Sequence, residues 1–292
     1  MRRFLLVLIV LFCIPGAFAQ GPVELTNTHT FTFSSSEVGD DFLIKVALPR
    51  GYEDSGQSYP VLYVTDAETN FGGLQYVTQR LAKDDLIPDV IVIGVAYDVS
   101  YDEFYRLRER DLRPEITSEM IDSNRADMTK GQAQVFANFL REELITEIDM
   151  RYRTVPGDRA YYGHSYGGLF GIWSLMYEPD LFSRYVILSP SLWWGEMWGG
   201  RPRRSHGHAI LPRLAAENSY TESNARVFVA SGELEPRIDE LQADWVAAIR
   251  PNLDPSVNMI DIIYENETHR TIFGRGIMDG LRHVYGDHID ED

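Results

Sequence analysis

Hydrophobic residues along this chain follow two alternating rhythms, one suited to strands and one to helices. Residues 23–33 alternate and are rich in Thr, and residues 42–49 alternate until Pro49 stops them. Both read as strands, the first at a sheet edge where a half-exposed ladder tolerates threonine. Residues 50–59 are rich in Gly and Ser and read as a loop. Pro60-Val61-Leu62-Tyr63-Val64-Thr65 and residues 90–95 are unbroken apolar runs, the pattern of strands covered on both faces. Shorter runs of the same kind stand at 159–163, 185–188, 227–230 and 259–264. Between the runs, helical spacing predicts helices over 71–83, 131–148, 167–177, 238–249 and 272–285. In the second of these, Val135, Phe136, Phe139, Leu140, Leu144 and Ile148 fall on one face. Over 98–128 the pattern fails. Arg106, Arg108, Arg110 and Arg113 stand among acids there, and the stretch reads as a long ordered loop crossing the top of the domain.

Strands that alternate with helices after an opening hairpin imply an α/β architecture. Its expected form is a mostly parallel central sheet with an N-terminal antiparallel hairpin and helices on both faces. Such sheets bind ligands at the carboxyl ends of their strands. The positions of interest are therefore Asp66-Ala67-Glu68, the segment from Asp98, Ser165-Tyr166, Ser189-Pro190-Ser191, residues 233–235 and residues 265–269.

Composition adds a compartment. Arg2 and Arg3 precede an apolar run over 4–14, and Ala17-Phe18-Ala19 is a small-x-small cleavage site, so residues 1–19 read as a signal peptide cut before Gln20. The run is too short to span a bilayer comfortably. Phe12 before Cys13 argues against a lipoprotein signal. Cleavage removes Cys13, the only cysteine, which excludes disulfides and thiolate chemistry from the mature chain. It also removes two arginines, making the mature chain two units more negative than the −17 of the full sequence. That acidity argues against nucleic acid or an anionic membrane as partner. The expectation is one exported domain over 20–292, periplasmic or extracellular.

Candidate chemistry centres on Gly163-His164-Ser165-Tyr166-Gly167. This G-x-S-x-G pentapeptide follows a strand and opens a helix, the context of a nucleophile elbow. Without that context it would be a Gly-rich turn with an inert serine. A serine hydroxyl needs a neighbouring base, and histidine titrates near neutrality. In chains built on this elbow the acid and then the base follow the serine. His29 and His164 precede or abut it, and His164 reads as a packing or hydrogen-bonding residue. His206 and His208 form an HxH pair without further metal ligands. His283 and His288 read as surface residues. His269, just past the last strand, remains as the base. The acid should follow the 227–230 strand, where Glu235 is preferred, Glu233 is close behind, and a Ser-His dyad stays open. For an oxyanion hole, one donor is the Tyr166 N–H and the second the Glu68 N–H, with Ala67 as the alternative. No metal, nucleotide or flavin is implied, since Gly72-Gly73 and Gly199-Gly200 lack phosphate-loop spacing.

Several longer motifs stand in order along the chain: Tyr59-Pro60-Val61-Leu62-Tyr63-Val64-Thr65-Asp66, Arg108-Glu109-Arg110-Asp111-Leu112-Arg113-Pro114, Gly163-His164-Ser165-Tyr166-Gly167-Gly168, Ser189-Pro190-Ser191-Leu192-Trp193-Trp194 and Glu267-Thr268-His269. With them the sequence resembles the esterase D-like family of α/β-hydrolases, and within it the periplasmic ferric-siderophore esterases. The resemblance implies an α/β-hydrolase fold, Ser165 as nucleophile and His269 as base. It implies a small-molecule ester substrate, either a siderophore trilactone or a small acyl or feruloyl ester. It further places Arg110 along a substrate groove, where a guanidinium could pair with catecholate oxygens. The alternative for Arg110 is an ion pair with Asp111 or Asp102. Trp193 and Trp194 could stack on an aromatic substrate or belong to the core. An acyltransferase on the same residues, or a binding protein that lost catalysis, are the competing functions.

Overall fold

The computed structural model describes residues 24–115, 131–194, 197–198, 201–202, 210–217, 224–235 and 237–288. An opening hairpin pairs β1 (Thr28–Ser35) with β2 (Asp40–Ala47) in antiparallel register. β1 keeps its threonines largely toward solvent and turns Phe31 and Phe33 toward the core. A single helical turn, α1 (Tyr52–Ser55), lies in the stretch that reads as loop. β3 (Tyr59–Val64) and β4 (Ile91–Ala96) are buried along their entire length, as their unbroken apolar runs require. Helix α2 (Ala67–Lys83) follows β3, and α3 (Tyr101–Leu112) follows β4. The next helical segment runs through α4 (Ala133–Asn138), a π-wound stretch (Phe139–Leu144) and α5 (Ile145–Arg151). β5 (Thr154–His164) then feeds α6 (Tyr166–Tyr177), and β6 (Arg184–Leu188) follows. A short hairpin of β7 (Met197–Trp198) and β8 (Arg201–Pro202) precedes α7 (Ile210–Glu217). The chain then passes through β9 (Arg226–Gly232), α8 (Ile238–Ile249), β10 (Asn258–Tyr264) and α9 (Ile272–Val284).

Eight strands form one sheet in the order β1-β2-β4-β3-β5-β6-β9-β10. β2 is antiparallel to both its neighbours, and all pairings from β4 to β10 are parallel. This is the mixed sheet of an α/β-hydrolase, with helices on both faces. Period-two alternation divides the core into two layers. Val61, Tyr63, Ile91 and Ile93 join one layer with α4, α6 and α8, while Leu62, Val64 and Val92 join the other with α2 and α9.

The segment read as a long loop from Asp98 is instead helical over Tyr101–Leu112, and residues 116–128 lie outside those described. Its buried residues are Leu107, Arg108, Asp111 and Leu112, a helical stripe with charges at two of four places. A charged buried face hides the apolar period on which a helix is recognised. The predicted signal peptide, with Cys13, and the His206–His208 pair also lie outside the described residues.

Candidate active site

At the carboxyl end of β5 the chain turns into α6 through one residue. Ser165 has φ 60° and ψ −114°, a conformation that L side chains rarely adopt and that costs about 1–3 kcal/mol. The turn closes because Gly163 lacks a side chain: a Cβ there would lie 2.2 Å from the Gly167 carbonyl oxygen. The turn is pinned to β6 from both sides. Ser165 N–H donates to the Leu188 carbonyl at 3.0 Å, and Ser191 N–H donates to the Ser165 carbonyl at 3.1 Å. Among the described residues the Ser165 hydroxyl is hydrogen-bonded to Ser191 Oγ, at 3.3 Å, rather than to an imidazole. The Ser189-Pro190-Ser191 stretch thus sits directly against the elbow.

His269 lies between β10 and α9, and Glu235 lies just past β9. The two meet: His269 Nδ1 is 2.6 Å from Glu235 Oε2. A carboxylate only accepts, so Nδ1 carries a proton, and in the neutral ring Nε2 is the acceptor. The second carboxylate oxygen of Glu235 accepts the Ser189 hydroxyl at 2.6 Å and the Gly232 N–H at 2.8 Å. Burial works to raise the Glu235 carboxyl. The donors from His269, Ser189 and Gly232 outweigh it and hold the group below the ordinary glutamate value. The Glu235 side chain is 2% exposed and that of His269 is 39% exposed, so the carboxylate is sealed while the imidazole stays reachable. Glu233, the other acid open on sequence, is exposed and accepts the Asn266 N–H at 3.1 Å.

His164 touches the same imidazole from the elbow. Its Nε2 lies 2.6 Å from the His269 carbonyl oxygen, and the two rings sit 4.5 Å apart between centroids. The carbonyl accepts, so His164 donates from Nε2. Burial, reinforced by the adjacent His269, lowers its pKa to about 4 and keeps the ring neutral.

The far side of the elbow faces the start of α2. Asp66 occupies the N-cap position with φ 51°, and Ala67 and Glu68 are the first two residues of the helix. Their N–H groups have no backbone acceptor within the helix, nor does that of Tyr166 at the start of α6. The Glu68 carboxylate accepts the Tyr97 N–H at 2.5 Å and its own backbone N–H, and burial raises the carboxyl above its ordinary value. Two links tie the α2 start to the elbow. Arg108, from α3, donates to both Asp66 carboxylate oxygens at 2.7 Å each and lies 4.9 Å over the Tyr166 ring. In parallel, Tyr161 O–H donates to the Gly167 carbonyl at 2.8 Å, so the Thr65 hydroxyl, 3.0 Å away, donates to Tyr161.

Arg108 is the site-side residue that sequence reasoning missed, although it opens the Arg108–Pro114 motif. Arg110, the arginine expected along a groove, is clamped instead. It donates to both oxygens of Asp111 at 2.7 and 3.1 Å and to Asp40 at 2.8 Å. The ion-pair alternative describes its surroundings, with Asp40 in place of Asp102. Trp193 is half-buried with its ring 5.8 Å from that of Tyr166. Trp194 is 2% exposed, which corrects the expectation that it offers a face to substrate: it packs in the core.

The family profile described as Putative esterase matches residues 35–262. Over 184 residues the chain is 30% identical to the siderophore triacetylfusarinine C esterase of Aspergillus fumigatus, a span covering 60% of each protein. Over 187 residues it is 32% identical to the ferri-bacillibactin esterase BesA of Bacillus subtilis, covering 61% of this chain and 60% of that one. The match thus spans about three-fifths of the length of these curated relatives. Among solved structures, the siderophore hydrolase EstB from Aspergillus nidulans superposes with a TM-score of 0.73 at 22% identity, covering 92% of this chain and 98% of that one. The BES protein from Bacillus cereus gives a TM-score of 0.74 at 22% identity, covering 91% and 98%. At such identities the superpositions speak to the fold.

Proposed function

This chain belongs to that esterase family, and on that premise we propose that it is a serine hydrolase of carboxylic esters. Ser165 is the nucleophile, His269 the general base and Glu235 the acid that orients it. The observation that carries the proposal is the 2.6 Å contact between His269 Nδ1 and the sealed carboxylate of Glu235, beside a serine held at φ 60°. For catalysis the Ser165 hydroxyl exchanges Ser191 for Nε2, a bond that resting sites often form only with substrate present. Oγ then attacks the ester carbonyl carbon while Nε2 takes its proton. The resulting oxyanion is met by the Tyr166 N–H and by the Glu68 or Ala67 N–H, each at a helix start whose dipole favours negative charge. Collapse expels the alcohol, which takes the proton back from Nε2. Water repeats the sequence and releases the acid.

The substrate class we propose is a small-molecule ester, with siderophore esters favoured because the relatives at 30 and 32% identity are siderophore esterases. We place the protein outside the cytoplasm on the basic-apolar-small pattern of residues 1–19, with residues 20–292 as one esterase domain. No helix among the described residues is long and apolar enough to cross a membrane. The test is hydrolysis by the purified chain of p-nitrophenyl butyrate, feruloyl esters and catecholate trilactones, beside its Ser165→Ala variant. The variant should fold normally and lose at least about 10⁴-fold in kcat. Turnover preserved in Ser165→Ala would remove the serine mechanism.

A further inference from the structure

Val99, Tyr101 and Tyr105 stand where β4 gives way to α3, at the carboxyl edge of the sheet, and all three are exposed. Tyr101, 73% exposed, is the most open of the large hydrophobic side chains among the described residues. A ring left in water gives up burial that would stabilise the fold, and exposed apolar patches beside a site mark places where something binds. The two tyrosines form a pair. Their rings meet edge to face with centroids 4.8 Å apart, and their hydroxyls lie 3.0 Å from each other.

From this pair an aromatic track runs inward to the nucleophile. The Tyr105 ring lies 5.3 Å from that of Phe104, and the Arg108 guanidinium sits 5.9 Å over Phe104 and 4.9 Å over Tyr166. Tyr166 follows Ser165 directly, and its ring is 5.8 Å from that of Trp193. Across the mouth stands Arg270, exposed and one residue past His269. No carboxylate among the described residues lies within ion-pair distance of its guanidinium. The Tyr105 hydroxyl raises the Tyr101 phenol above its ordinary value, and Arg270 is near enough for its charge to work against that rise.

We propose that Tyr101 and Tyr105, with Arg270 opposite, are specificity-determining residues that hold an aryl group of the ester, best one carrying a carboxylate or phenolate. The inference rests on the serine-hydrolase reading above. Two rings set edge to face offer an incoming ring a face and an edge at once. A guanidinium beside them supplies the charge that an anionic ring needs in a chain of net charge −17. A short aliphatic ester has no ring for the pair to pack against.

The test compares methyl butyrate, methyl benzoate and methyl 4-carboxybenzoate, and in parallel ethyl, phenyl and 4-carboxyphenyl acetate, so that the ring lies on either side of the scissile bond. In at least one series Tyr101→Ser/Tyr105→Ser should lower the kcat/KM ratio of phenyl to aliphatic ester by about 10-fold, through KM. Tyr101→Phe/Tyr105→Phe keeps the rings and should keep the ratio within about twofold. Arg270→Gln should lower the ratio of carboxylated to plain ring by about fivefold. A merely structural role lowers all esters alike and leaves both ratios unchanged, which overturns the proposal. Should the double serine variant fail to fold, Tyr101→Ser alone carries the test, with about a threefold fall in the first ratio expected and an unchanged ratio overturning the proposal. Calorimetric affinities of the same esters for Ser165→Ala protein, with and without the tyrosine substitutions, read the subsite without turnover. Activity surviving in Ser165→Ala overturns the serine-hydrolase reading instead, so the two failures are told apart.

Discussion

Two buried carboxylates flank the elbow, and their partners differ in kind. Asp66, past β3, and Glu235, past β9, have side chains 7% and 2% exposed. Asp66 faces an arginine, which keeps its charge throughout the accessible pH range. Glu235 shares itself between an imidazole and two neutral donors, the Ser189 hydroxyl and the Gly232 N–H. A permanent counter-charge locks a geometry and leaves the net charge of the pair fixed. A titratable partner lets the pair pass from one negative charge to neutrality when the imidazole takes a proton. The neutral donors keep the carboxylate ionised in both states. The same residue chemistry therefore yields a strut on one side of the serine and a proton-coupled device on the other.

The largest effect that could break this contrast is on the Glu235 side. Glu235→Gln keeps the size and the Ser189 contact but cannot stabilise an imidazolium, and its amide favours the wrong tautomer of His269. We expect kcat on p-nitrophenyl butyrate to fall by roughly 10³–10⁴-fold, with little change in the melting temperature. Glu233→Gln should leave kcat within about twofold, because that carboxylate holds only the Asn266 N–H among the described residues. Reversal of the two results would move the acid to Glu233.

On the strut side the effect falls on stability. Asp66→Asn tolerates the backbone at φ 51° but leaves the largely buried Arg108 without its counter-charge. Urea unfolding should show a loss of about 3 kcal/mol, because removing one member of a buried pair strands the other. Undiminished stability would mean that apolar packing alone holds α3 against the site.

How far each side was legible follows from the same physics. Helix α6 buries ten of its twelve residues, nearly all apolar or glycine, and its unbroken apolar run is plain in the sequence. Helix α3 buries Arg108 and Asp111 beside Leu107 and Leu112, and the buried charges erase the period. Their partners lie far away in the chain: Arg108 meets Asp66, 42 residues earlier. No local pattern announces such a pair. For the same reason the Arg108–Pro114 motif could not tell which arginine faces the site. Residues two apart on a helix point to nearly opposite sides, so Arg108 reaches Asp66 while Arg110 reaches Asp40 and Asp111. Glu233 and Glu235 stayed unresolved because both follow β9 within three residues of Gly232. Only the turn that seals Glu235 and exposes Glu233 separates them.

His164 offers the smallest and most selective test of the contrast, since it tethers the titratable side without carrying charge. Its pKa is lowered from 6.5 to about 4 by burial and by the neighbouring His269. In the unfolded chain the ring is protonated below about pH 6.5, so between pH 6.5 and 4 the unfolded state binds the extra proton. Stability must then rise with pH across that window and be lost as pH falls through it. With the ring partly exposed, the contribution is about 2 kcal/mol, less than the roughly 3 kcal/mol that 1.36 kcal/mol per pH unit would give over this window. His164→Asn keeps a donor for the His269 carbonyl but has no titration, and should flatten this part of the stability profile measured by urea unfolding from pH 4 to 7. Glu235, whose pKa is held below the ordinary glutamate value, adds a loss at the acid end, as pH falls through its folded pKa. That loss should persist in His164→Asn and vanish in Glu235→Gln. A profile unchanged in His164→Asn would mean that the ring is as free to take a proton in the folded protein as in water. The tether between elbow and base would then hold no better below pH 6 than a protonated, solvated histidine allows.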